Sequence, residues 1–245
     1  MPGPIRRIVL VHGAAHGAWC WTRVTPLLRA RGFDVDAVDL PGLGADRTPP
    51  EDCTLAACVG AVAACVMNGA PVVLVGHSMA GQIVSQVAED CCDHVARIVY
   101  VAAFVPVDGE TLADMQARDL PNSASRAIAP GPDARTVVLN PAIARHVFYG
   151  QCADEEAAWA IGQLRPQPTA LMGAPVTLTP DRFGRVPKSY VLCERDEAIP
   201  PSFQDWLCAR WEGVSVRRMP TDHSPFLSDP AQLAAIVAAE AVAGA

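Results

Sequence analysis

The sequence predicts a single α/β domain spanning residues 1–245, with a mostly parallel central sheet covered by helices on both faces. Three observations lead there. Short apolar runs alternate with segments whose apolar residues recur at helical spacing. The inner runs, such as "APVVLVG" at 70–76, are apolar throughout, as strands buried on both faces are. Apolar residues make up 51% of the chain and charged ones 18%, enough for one large core and too little charge for a disordered chain.

Taken in order, residues 5–11, "IRRIVLV", read as a strand, and "HGAAHGAW" after them as a loop of small residues. Residues 22–31 carry a helical pattern that Gly32 ends. "FDVDAVD" at 33–39 alternates as a strand does, and "LPGLGADRTPP" is a loop by its Pro and Gly content. Residues 54–67 read as a helix, 70–76 as a strand, 79–89 as a helix and 96–104 as a further buried strand. "SYVLCER" at 189–195 and "VSVRRM" at 214–219 are two more strands, and the last helix starts at Asp229 as its N-cap. Residues 106–181 break the alternation. Pro-rich joints ("PNSAS", "APGPD", "RPQPT") separate two or three helical pieces and no buried-strand pattern appears, so a helical insertion lying over the sheet is expected.

Composition narrows the function. The formal net charge is −7, Lys188 is the only lysine and there is no basic run, so nucleic acid is not an expected partner. "MPGPIRRIVLVHG" has two arginines and then only four apolar residues before His12, too few for a signal-peptide core. The apolar run at 55–67 is shorter than a membrane span and is interrupted by Gly60. A soluble, cytoplasmic protein with no membrane partner is expected. The nine cysteines are odd in number, form no C-x-x-C and show no zinc spacing. They read as reduced core residues, with no metal and no cofactor.

The chemistry is carried by "LVGHSMAGQIV" at 74–84. A nucleophile elbow needs a buried strand before the serine, a helix after it, and small neighbours that let the two pass closely. Residues 72–75 and 82–88 supply strand and helix, and Gly76 and Ala80 are the small flanking positions. Ala80 stands where glycine is usual, with Gly81 next to it. Ser78 is the candidate nucleophile. Its base and the base's carboxylate should follow in the order acid, then histidine. Among six histidines only His223, in "PTDHSPF", lies in a loop just after a late strand. Asp196 ends an earlier strand and is preferred as the acid over Glu194, Glu197, Asp205 and Asp222. An oxyanion hole needs two backbone N–H groups. Met79, after the nucleophile, offers one, and the early loop "HGAAHG" at 12–17 the other, through Ala14.

The stretches "VLVHGAAHGAWCW", "LLRARGFDVDAVDLPG", "VVLVGHSMAG", "VYVAAFVP", "DRFGRVPKSYVLCERDEAIPPSFQDW" and "DHSPFLSDPAQLA" resemble the plant methylesterase and hydroxynitrile lyase family of α/β hydrolases and its bacterial relatives. The likeness is weakest at 107–147 and returns in "FYGQCADEEAAWAIGQLRPQP". It implies an α/β-hydrolase fold whose insertion, 106–181, is a small helical cap. It also implies a triad of Ser78, Asp196 and His223, and a mostly apolar pocket between core and cap with Phe148, Tyr149, Trp159, Leu164 and Met172 as lining candidates. Gly13 in the early loop leaves the oxyanion hole open. The lyase branch carries a Lys directly after the catalytic His and a Thr in the early loop. Here those positions hold Ser224 and Gly13. The expectation is therefore a serine carboxylesterase acting on small-molecule esters. A hydroxynitrile lyase-type enzyme and a non-catalytic receptor on the same scaffold are the alternatives, and pairing into a homodimer is left open.

Overall fold

The computed structural model describes residues 5–118 and 124–243. The chain begins with β1 (Arg7–Val11), α1 (Val24–Arg29), β2 (Asp34–Val38), α2 (Leu55–Val66), β3 (Val72–His77), α3 (Ala80–Asp90) and β4 (Val95–Val101). Then come α4 (Leu112–Arg118), β5 (Ile128–Pro130), β6 (Thr136–Leu139), α5 (Pro141–Tyr149), α6 (Asp154–Gln163) and β7 (Gln167–Pro168). The chain returns to the main sheet with β8 (Lys188–Cys193), α7 (Pro201–Ala209), β9 (Ser215–Met219), α8 (Pro225–Ser228) and α9 (Pro230–Ala243). The predicted element ends hold locally for physical reasons. Gly32, just past α1, takes φ +86°, a conformation that costs glycine little. The Thr54 hydroxyl accepts the Ala57 N–H at 3.1 Å and the Asp229 carboxylate accepts the Gln232 N–H at 3.0 Å, each satisfying an otherwise unpaired donor at a helix start.

The six strands of the main sheet are all parallel, in the order β2-β1-β3-β4-β8-β9. Alternate residues of the inner strands feed two cores. Val9, Val11 and Leu74 pack with the apolar sides of α2 and α3, while Ile8, Leu10, Val73 and Val75 pack with those of α1 and α9. That two-sided burial is why these strands are apolar at every position. The order reverses between β1 and β3, and such a switch point opens a crevice beyond the carboxyl ends of the strands. The register pairs Val11 with Gly76, His77 with Val101, Val101 with Val191 and Cys193 with Met219. The loops that follow β1, β3, β4, β8 and β9 therefore leave the sheet along one edge.

Two expectations are corrected. The strand predicted at 96–104 stops at Val101, because Ala102 turns at φ +43° and the following residues wrap back onto the turn after β3. The insertion is not purely helical: β5, β6 and β7 form a three-stranded antiparallel sheet beside α5 and α6. The insertion 106–181 packs into both cores. Leu112, Met115, Leu171, Val176 and Leu178 are buried in the same core cluster as the apolar residues of α2 and α3. The segment from β5 to β7, called the cap below, buries Ala144, Val147, Phe148 and Ala157 in the other cluster, with Ile8, Leu10, Val73 and Val75. Among the described residues no helix is long and apolar enough to cross a membrane.

Candidate active site

Ser78 sits directly after β3 at φ +54°, a strained conformation for a residue with a Cβ. Three backbone bonds hold it there. Its N–H donates to Val101 O at 3.1 Å, and its carbonyl accepts the N–H groups of Gly81 and Phe104, both at 3.1 Å. Close approach explains the surrounding small residues. A Cβ on Gly81 would lie 1.9 Å from the Phe104 carbonyl oxygen, and one on Gly13 would lie 2.8 Å from His77 Nδ1 and 2.9 Å from Ser78 Cβ. Ala80, by contrast, buries its methyl in the core. The close approach to the 102–104 segment falls on Gly81, one place beyond Ala80, so Ala80 is accommodated.

The structure brings Ser78, His223 and Asp196 together from three different strand ends. His223 Nε2 lies 3.0 Å from Ser78 Oγ, and His223 Nδ1 lies 2.7 Å from Asp196 Oδ2. With the carboxylate as acceptor, Nδ1 carries the proton and the Nε2 lone pair faces the serine hydroxyl. Burial pushes the Asp196 carboxyl upward. The nearby imidazole and the Ile199 and Ala198 N–H groups, at 2.8 and 2.7 Å, oppose that rise by stabilising the anion. Gln204 of α7 adds a bond to Oδ2 at 3.2 Å. The rival acids are occupied or lie elsewhere. Asp222 accepts Ser228 Oγ at 2.8 Å and the Gln151 N–H at 2.8 Å, fastening the cap to the His223 loop. Asp205 pairs with Arg218 at 2.6 Å and Glu197 with Arg126 at 3.5 Å, both on the surface, and Glu194 is exposed.

Three further histidines surround this line as buried, neutral groups. His77 donates Nε2–H to the His223 carbonyl at 2.8 Å, and burial holds its pKa well below the usual value. His12 is pulled down to about 4 by burial, and its Nε2 accepts the Leu40 N–H at 3.1 Å. His16 is pulled down to about 3 by burial. Its Nδ1–H donates to Ala14 O at 2.7 Å, and its Nε2 accepts the Tyr149 hydroxyl at 2.8 Å. These rings act as fixed struts of the two loops that flank Ser78.

Ser78 and His223 open into a cavity between the sheet edge and the cap, with Phe104, Val137, Leu139, Phe148, Met172 and Ile199 among its walls. Ala14 and Met79 face the same cavity. Among the described residues neither the Ala14 nor the Met79 N–H has a protein acceptor, and no Lys, Arg, Asp or Glu lines the cavity. The described residues hold no group of three or more His, Cys, Asp or Glu that could bind a metal.

Of the lining candidates, Phe148 and Met172 are in place, with the Phe148 ring edge-on to His223 at 5.4 Å between centroids. Gly13 is behind the serine, where its lack of a side chain lets the two loops meet. Trp159 does not line the cavity. The helix α6 buries Ala157 and Ala160 instead, so Trp159 faces outward, 44% exposed, with its ring against Trp19. Leu164 packs against the core cluster behind the cap, and Tyr149 is buried with its hydroxyl on His16. Sequence reading missed Ile199, Gln116, Gln167 and the residues of β5 and β6. Only the β-branched pair Val137–Val138 carried a signal, and it is too short a run to stand out.

The fold and this serine-centred site define an α/β hydrolase. The alpha/beta hydrolase family model matches residues 8–236, and the chain belongs to that family. It is similar to an esterase of Oryza sativa subsp. japonica, 31% identical over 95% of this chain and 94% of the relative. It is similar also to a pheophorbidase of Raphanus sativus, 30% identical over 92% of this chain and 90% of the relative. Among solved structures, a pyrethroid hydrolase from Sphingobium faniae superimposes with a TM-score of 0.88 at 28% identity, covering 97% of both chains.

Proposed function

We propose that this chain is a serine carboxylesterase that hydrolyses small, uncharged carboxylic esters through an acyl-enzyme. The single observation that carries the reading is the Ser78–His223–Asp196 line, at 3.0 and 2.7 Å, at the floor of an apolar cavity. Ser78 Oγ attacks the ester carbonyl as His223 Nε2 takes its proton. Asp196 holds the ring and stabilises the imidazolium that forms. The Ala14 and Met79 N–H groups receive the oxyanion, and loss of one such donor typically costs about 10²–10³ in kcat. Collapse of the tetrahedral intermediate expels the alcohol, which leaves with the proton from His223. Water activated by the same ring then releases the acid.

The lysine-dependent lyase reading has no support in the site. The Lys188 ammonium donates to the carbonyls of Phe183 and Val186 at 2.7 and 2.8 Å, at the start of β8 and so at the opposite end of that strand from Asp196. The partner is a small-molecule ester, and the compartment is the cytoplasm, in keeping with nine unpaired thiols. The test is hydrolysis of short p-nitrophenyl esters by the wild type and Ser78→Ala. The proposal requires turnover by the first and near-complete loss in the second at unchanged Tm. Equal turnover by both would overturn it.

A further inference from the structure

The loop that presents Ala14 to the cavity is not held by the sheet alone. Its next residue, Ala15, is buried and turns at φ +62°. A left-handed alanine costs of order 1 kcal/mol or more and persists only where its surroundings hold it. The loop closes this turn itself through the His16 N–H on the Gly13 carbonyl at 3.4 Å, and the cap adds two shorter bonds. Gln167 Oε1 accepts the Ala15 N–H at 2.8 Å, and the Ala15 carbonyl accepts the Arg165 N–H at 2.9 Å. The Gln167 side chain is itself fixed, since its Nε2 donates to the Pro168 carbonyl at 2.8 Å and the residue is only 2% exposed. A third tie runs from the Tyr149 hydroxyl of α5 to His16, whose other nitrogen holds the Ala14 carbonyl. Three cap residues therefore grip two consecutive loop residues, Ala15 and His16, and the peptide carrying the Ala14 N–H lies directly before the gripped turn.

We propose that Gln167 is a positioning residue of the ester-hydrolysing site. From the cap, it fixes the turn at Ala15 and with it the direction of the Ala14 N–H toward the developing oxyanion. The inference rests on the oxyanion role proposed for Ala14. An unpaired Ala15 N–H would be free to rotate the Ala14–Ala15 segment toward ordinary alanine geometry, and the Ala14 N–H would turn with it. Gln167 is itself part of the cavity wall, but an apolar side chain of equal length keeps the wall's shape, so ground-state binding is little affected. The loss falls on the transition state, so kcat drops while KM holds.

The experiment compares the wild type with Gln167→Met, which keeps the length and volume of the side chain and removes the acceptor. Active sites are first titrated with diethyl p-nitrophenyl phosphate, so that kcat for p-nitrophenyl butyrate refers to competent molecules only. The affinity for butylboronic acid is measured in parallel, because its tetrahedral adduct on the serine places an oxygen in the oxyanion hole. The expected result is kcat lower by about tenfold or more and boronate affinity weakened in step, with KM within about twofold. A part played only in folding would lower Tm and the titrated fraction but leave kcat per site and boronate affinity at wild-type values, and that result overturns the inference. If Gln167→Met does not fold, Gln167→Ala, which leaves room for water, carries the same comparison and the same two outcomes. Turnover by Ser78→Ala would instead count against the esterase reading itself, whatever Gln167 does.

Discussion

Moving one methyl by one residue along the elbow should separate a tolerated position from an essential one. At Gly81 an added Cβ falls 1.9 Å from the Phe104 carbonyl oxygen and 2.9 Å from its carbonyl carbon, both of them backbone atoms. To reach 3.0 Å, the shortest separation real Cβ atoms show, α3 and the 102–104 segment must part by about 1.1 Å. The same segment supplies the Phe104 N–H that holds the Ser78 carbonyl, so the shift passes directly to the nucleophile. Overpacking of this kind costs roughly 1–3 kcal/mol, which for a chain of this length lowers Tm by roughly 2–4 °C per kcal/mol. A nucleophile displaced by about 1 Å loses of order 10²-fold in rate. Gly81→Ala should therefore lower Tm by several degrees and kcat/KM by about two orders of magnitude. Ala80→Gly, which removes a buried methyl at the first turn of α3, should cost about 1–2 kcal/mol and leave kcat within about threefold. Thermal unfolding and p-nitrophenyl ester kinetics read both. A Gly81→Ala enzyme with wild-type Tm and kcat would refute the packing argument.

Asp196→Asn should keep the fold and lower kcat by about 10⁴-fold, because the amide favours the wrong tautomer of His223; steady-state kinetics at pH 7 with a thermal melt reads this, and a loss under tenfold contradicts it. His12 titrates near 6.5 when unfolded and near 4 in the fold, so the unfolded state binds more protons between those values. Stability should fall as pH drops through that window, by at most about 3 kcal/mol for this group. Urea unfolding at pH 7 and pH 5 should show a smaller loss in His12→Gln than in the wild type, and equal losses would contradict the assignment. Trp159→Ala should leave KM for p-nitrophenyl butyrate within about twofold, since the ring faces outward, whereas Phe148→Ala should raise KM and lower stability by about 3–5 kcal/mol.

What was legible in the sequence follows from how local each signal is. The main strands were readable because burial on both faces leaves runs such as 72–75 with no polar interruption. Ser78, Asp196 and His223 were readable because each follows a strand, and the parallel register carries all those ends to one edge. The cap was not. Its strand β6 has four residues, three of them only half-buried, and Pro130 ends β5, so neither shows a strand's burial pattern. Trp159 lies in a helix whose spacing does not say which side is buried, and two alanines took the inward face. Gln167 lies between two prolines and meets Ala15 across 152 positions of chain, a contact that only the folded cap creates.

The central claim is that Ser78 is the nucleophile that carries the covalent intermediate, and covalent trapping tests it most directly. Wild-type protein treated with diethyl p-nitrophenyl phosphate should release one equivalent of p-nitrophenol and gain one diethylphosphoryl group on the peptide containing Ser78. Ser78→Ala should show neither. A label on another residue, or equal labelling of the variant, would contradict the account.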